Sequence, residues 1–178
     1  GLIQSGSAMS INTHGNAISN KDTLATGGIV SFGELDILAS AIDNQHGMLA
    51  GAQKSTIQAT RVDNRDGILA SEATLHLDAL SVDNRFGTVS AGESMTLDLT
   101  DALNNRNGTV SATGALNART GTLENTQGTL VSGDSARIET AQLVNQGGVI
   151  AAQRDLTLTA QRLDNDGGGL VQSGGDLT

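Results

Sequence analysis

The chain has no cysteine, no proline, no tryptophan and no tyrosine, and only two phenylalanines, Phe32 and Phe86. Without cysteine there are no disulfides and no thiolate metal sites. Large aromatic rings, which supply much of an ordinary globular core, are missing, so any core here is aliphatic. Positive charge is also scarce: 10 basic residues stand against 19 acidic ones, a net charge of -9. The two halves carry similar charge, 5 basic and 9 acidic residues over 1–89, 5 and 10 over 90–178. No basic patch of the kind nucleic acid requires is present. No apolar run reaches membrane-spanning length, so membrane insertion of this segment is not expected.

What the chain does have is glycine, 23 residues of it, and enough hydrophobic residues (37%) to set it apart from a disordered polymer. The glycines are not scattered. An apolar residue followed by x-Asn-x-x-Gly recurs as IDNQHG, VDNRDG, VDNRFG, LNNRNG, LENTQG, LVNQGG and LDNDGG. The pairs are Asn44 and Gly47, Asn64 and Gly67, Asn84 and Gly87, Asn105 and Gly108, Asn125 and Gly128, Asn145 and Gly148, Asn165 and Gly168. Successive Asn are 20, 20, 21, 20, 20 and 20 residues apart.

Apolar columns keep the same phase. Two residues after each Gly come Leu49, Leu69, Val89, Val110, Leu130, Ile150 and Leu170. Ten after come Ile57, Leu77, Leu97, Ala118, Ile138 and Leu158. Between them run short alternating segments such as Thr74–Asp78, whose period of two indicates strand. A 20-residue unit of two or three short strands cannot close a core alone, but stacked units can. The pattern therefore predicts an all-β parallel β-helix of roughly eight to nine coils, about 20 residues each, with adjacent strands about 4.8 Å apart.

Departures from the period predict irregularities. One extra residue lies between Leu97 and Leu103, at a corner. About four extra residues lie within Lys21–Thr26, where a protruding loop is expected. GLIQSG at Gly1–Gly6 resembles GLVQSG at Gly169–Gly174, so residues 1–178 are expected to be one β-helix segment cut mid-repeat from a longer array.

The Asn and Gly columns are read as structural. An inward Asn can bond its counterparts in neighbouring coils, and Gly permits either φ > 0 or close approach of coils. Asp43, Asp63, Asp83, Glu124 and Asp164 precede the Asn, and Arg65, Arg85 and Arg106 follow it. These outward columns are expected to compensate one another. His14, His46 and His76 show no metal-ligand pairing, and His14 and His46 read as turn residues. No catalytic triad, dinucleotide loop or calcium-binding nonapeptide is present, so no catalytic, cofactor or metal residues are assigned. Thr88, Thr109 and Thr129 form a short column broken by Ile68 and Val149, too short to suggest an ice-binding face.

The motif Val62-Asp63-Asn64-Arg65-Asp66-Gly67-Ile68-Leu69-Ala70-Ser71 and its copies resemble the repeats of filamentous haemagglutinins and related exoproteins of two-partner secretion, including stalks of contact-dependent growth inhibition toxins. The resemblance spans nearly the whole chain. It implies a right-handed helix, export through a dedicated outer-membrane transporter, and display on the surface of a Gram-negative bacterium. Asn-Pro motifs of the family's secretion domain have no counterpart in a proline-free sequence, and no toxin module is recognisable. The expected role is a non-enzymatic rod that extends a distal adhesive or toxin region. The alternative is an adhesive segment that itself binds a glycan or protein receptor through an exposed face or the 21–26 loop.

Overall fold

A computed structural model describes residues 1–178, and every regular element in it is a strand. The chain winds as a parallel β-solenoid of about eight turns, with about 20 residues per turn. One sheet is built from four-residue strands: β1 (Leu2–Ser5), β4 (Gly28–Ser31), β6 (Met48–Gly51), β8 (Ile68–Ser71), β10 (Thr88–Ala91), β12 (Thr109–Ala112), β14 (Thr129–Ser132), β16 (Val149–Ala152) and β18 (Leu170–Ser173). The other holds β2 (Met9–Asn12), β3 (Ala17–Ser19) and the long strands β5 (Leu35–Asp43), β7 (Ser55–Asp63), β9 (Leu75–Asp83), β11 (Met95–Asn104), β13 (Leu116–Glu124), β15 (Ala136–Val144) and β17 (Leu156–Asp164). Nine rungs at the usual strand spacing give a rod about 38 Å long.

The sequence columns explain the winding. In a typical short strand the first and third residues face out and the second and fourth face in, as with Met48 and Ala50 against buried Leu49 and Gly51. Each long strand begins with the same alternation, then changes phase. In β9, Leu75, Leu77, Ala79 and Val82 face in, so Leu80 and Ser81 are two successive residues not directed into the core. That slip marks a corner within the strand. Thirty-two buried residues, all aliphatic side chains, fuse into one core running along the axis. Because each inward column continues from coil to coil, every coil buries its apolar residues against its neighbours.

Three irregularities resolve in physical terms. The 21-residue repeat places its extra residue in β11, as a bulge between Leu99 and Ala102 where the long strand turns its corner. The four residues inserted near the start are Leu24–Gly27, because Thr23 takes the place that Gly47 holds in the next coil: Met48 N donates to Thr23 Oγ1 at 3.2 Å, whereas Ile68 N donates to Gly47 O at 2.8 Å. The insertion is a tight turn closed by Thr26 N and Gly27 N on Thr23 O, each at 2.9 Å. The last repeat also differs from its sequence reading. Gly169, not Gly168, packs against Asn145, and Leu170 consequently pairs with outward Val149 while Val171 joins the inward column.

Candidate functional site: the asparagine corner and its flanks

The most regular chemistry in the molecule lies where each long strand meets the following short one. Eight asparagines point inward there. Each Nδ2 donates to the Oδ1 of the next: Asn20 to Asn44, Asn44 to Asn64, Asn64 to Asn84, then through Asn105, Asn125 and Asn145 to Asn165, at 2.6–2.8 Å. The same Nδ2 atoms reach a backbone carbonyl of the next coil, for instance Ile68 O from Asn44 at 3.0 Å and Thr109 O from Asn84 at 3.1 Å. The six from Asn44 to Asn145 are fully buried. A buried amide without partners costs about 1–3 kcal/mol; here each amide in the run both donates and accepts. Asn20 heads the ladder and stands outside the seven repeat motifs of the sequence, since the Leu24–Gly27 insertion breaks the 20-residue spacing after it.

The corner glycines serve close approach. A Cβ on Gly87 would lie 2.0 Å from Asn64 O and 2.7 Å from Asn84 Oδ1, and Gly47, Gly67, Gly108, Gly128 and Gly148 are equally confined. None of these has positive φ. Gly168 has φ +83° and open space around it, so it is the extra residue of its turn, and Gly169 carries the contact, with Asn145 O 2.1 Å from its would-be Cβ. Left-handed backbone falls instead two residues after each Asn, at Asp22, His46, Asp66, Phe86, Asn107, Gln127, Gly147 and Gly167. His14 also has φ +52°. Asn, Asp and His tolerate this region better than Phe or Gln do.

A second polar corner closes the other end of three short strands, β4, β8 and β14. Ser71 Oγ donates to Gln53 O at 2.6 Å and Thr74 O at 2.9 Å; Ser132 Oγ bonds Gly114 O and Ser135 O; Ser31 Oγ bonds Ser7 O and Glu34 O. The signal for it was a column of Ser, Gly and Ala four residues after each repeat glycine, from Gly51 to Ala152.

Outside the Asn corner the charged columns pair. Arg65 and Arg85 each clasp the Asp two residues before, Asp63 at 2.6 Å and Asp83 at 2.7 Å. Burial alone would raise the Asp63 carboxyl, but hydrogen bonds from Arg65 and the charges of Arg65 and Arg85 outweigh it and hold it below its ordinary value. In the next coil Asn104 replaces the Asp and its Oδ1 accepts only from the backbone N–H of Arg106, with no ion pair. On the long-strand face Arg137 and then Arg119 lower the Glu139 carboxyl by hydrogen bonds and charge. Of Arg65, Arg85 and Arg106, the first two are thus spent on their own coil. No group of three or more His, Asp or Glu side chains could hold a metal. The structure contains no helix long and apolar enough to cross a membrane.

A haemagglutinin repeat profile matches residues 1–45, 33–98, 87–147 and 135–178, four overlapping stretches that cover the chain. The chain belongs to the haemagglutinin repeat family. It matches no curated protein and no solved structure. Haemagglutinin repeats are structural and adhesin modules, typically non-enzymatic, found in secreted cell-surface proteins of Gram-negative bacteria. This haemagglutinin repeat array fits the rod of a filamentous adhesin-type protein.

Proposed function

We propose that the chain is a spacer segment of a large secreted exoprotein, holding a distal adhesive or toxin region away from the bacterial surface. The observation that carries the reading is the continuous Asn20–Asn165 ladder, which ties successive coils end to end along one axis. A rod bonded in this way sets a distance in whole coils. Export through an outer-membrane transporter of the two-partner type accords with a chain that has no cysteine to cross-link before folding. A receptor, where there is one, belongs to the distal region in this reading, since the Leu24–Gly27 turn is closed on itself and Arg65 and Arg85 are already paired.

The test is to remove one whole coil, Arg65–Asn84, from the surface-displayed protein. Reach is expected to shorten by one rung, about 4.8 Å, with folding retained, and contact with target cells should depend on the number of coils removed. Loss of target contact on changing exposed residues of this segment at unchanged length would defeat the spacer reading.

A further inference from the structure

We infer that the outer face of the short-strand sheet is a pairing surface for a second copy of this chain. None of the 10 basic or 19 acidic residues lies in any of its nine strands. Along β6 to β16 the outward pairs are Met48 and Ala50, Ile68 and Ala70, Thr88 and Ser90, Thr109 and Ser111, Thr129 and Val131, Val149 and Ala151, all half-buried. Each of the seven long strands, by contrast, carries two charged side chains. The chain's two phenyl rings, Phe32 and Phe86, immediately follow β4 and shortly precede β10, and they are 56% and 63% exposed.

Three arguments favour a second copy as the occupant. Two rods of charge -9 repel wherever charged faces meet, and this face is where they can touch without apposing like charges. Nine rungs of four residues present about 500 Å² per rod, hence about 1,000 Å² for a pair, the lower bound for a specific interface. The outward ladders also repeat at one strand spacing, so side chains of one rod fit between the rungs of another along the whole length. Only a partner with that same period offers this match, and an identical rod has it by construction. Faces of two sheets pack in this way about 10 Å apart.

Sedimentation equilibrium of the chain tests the inference. A reversible dimer is expected, strengthened by 0.5 M NaCl as the self-repulsion is screened. Ala70→Glu and Ser111→Glu, each placing carboxylates at mid-face, should weaken the dimer at least thirtyfold while the circular dichroism and Tm of the dilute monomer are kept. Thr96→Glu, on the outer face of β11, should leave the dimer unchanged. A chain that stays monomeric at every concentration would overturn the proposal. So would association that survives both face variants but is lost with Ile3→Lys, which places the contact at the rod's end.

Discussion

The two sheets of this solenoid are made by the same coils and yet tolerate different things. Every short-strand pairing runs without a break, from Leu2↔Gly28 to Ser173↔Ala152. Pairings between successive long strands skip a residue at the corner, and β11 absorbs a whole extra residue there. The insertions next to the short strands, Leu24–Gly27 and Gly168, lie outside them, in the Asn turn. The reason is local. Each short strand from β4 onward follows a rung of the Asn ladder and is followed at once by a backbone N–H bonded to the preceding coil, as Thr113 N is to Ala91 O at 3.0 Å; β4, β8 and β14 add a buried Ser hydroxyl at that end. The long strand bends at a corner of its own, where the phase of inward residues slips and only Thr120 and Thr140 set a buried hydroxyl on the preceding coil. The regular sheet is the one whose strands, from β4 to β18, each follow a rung of the Asn ladder.

The largest expected effect comes from moving an irregularity between the two. Inserting one alanine between Val110 and Ser111 would reverse the faces of the rest of β12, and loss of the cooperative unfolding transition is expected in calorimetry. Deleting Asp101, which removes the bulge, should change stability by less than about 1 kcal/mol. Equal tolerance of the two changes would dissolve the comparison.

Next come changes to the Asn corner itself. Gly87→Ala drives a methyl against Asn64 O and should cost about 3 kcal/mol or more, as severe overpacking does. Asn105→Ala leaves Asn84 Nδ2 and Asn125 Oδ1 each without a ladder partner, and about 2–4 kcal/mol should be lost. Both are read from denaturant midpoints at constant slope. A smaller effect of opposite sign is expected for Gln127→Gly. Gln127 has φ +53°, and relief of left-handed strain, less the flexibility glycine adds to the unfolded chain, should stabilise by about 0.5–1 kcal/mol.

The smallest effect is electrostatic. Asp63 and Glu139 have carboxyls held below their ordinary values in the fold. The stability they contribute is therefore present above the unfolded carboxylate pKa, about 4, and is lost as pH falls through the lower folded values. Tm should decline below about pH 4, and Asp63→Asn should flatten part of that decline. An unchanged slope in the variant would remove Asp63 from the account.

The coil length, the parallel stacking and the inward Asn were all legible in the sequence, because each rests on strict periodicity that a single chain displays. The irregularities were only partly so. Three consecutive glycines, Gly167–Gly169, offer three candidates for one corner, and the contact with Asn145 O alone selects Gly169. Thr23 could not be recognised in a glycine's place, since only the hydrogen bond that its Oγ1 accepts from Met48 N puts it there. Of the two roles open to the corner glycines, close approach is the one in use, while the strained φ belongs to residues as unlike as His46 and Phe86 and so leaves no compositional trace. The uncharged outer face was present in the sequence as two columns, but their meaning depends on knowing which residues share a sheet.

One consequence of the Asn ladder concerns direction. All seven amide bonds point the same way, from the earlier coil to the later one. The rod is thus polar in the sense that a cytoskeletal filament is polar, with unlike ends. Each amide from Asn44 to Asn145 accepts from the coil before it and donates to the coil after it, so every coil is a template for the next. Assembly of such a chain resembles growth of a crystal along one axis, with each layer oriented by the amide beneath it.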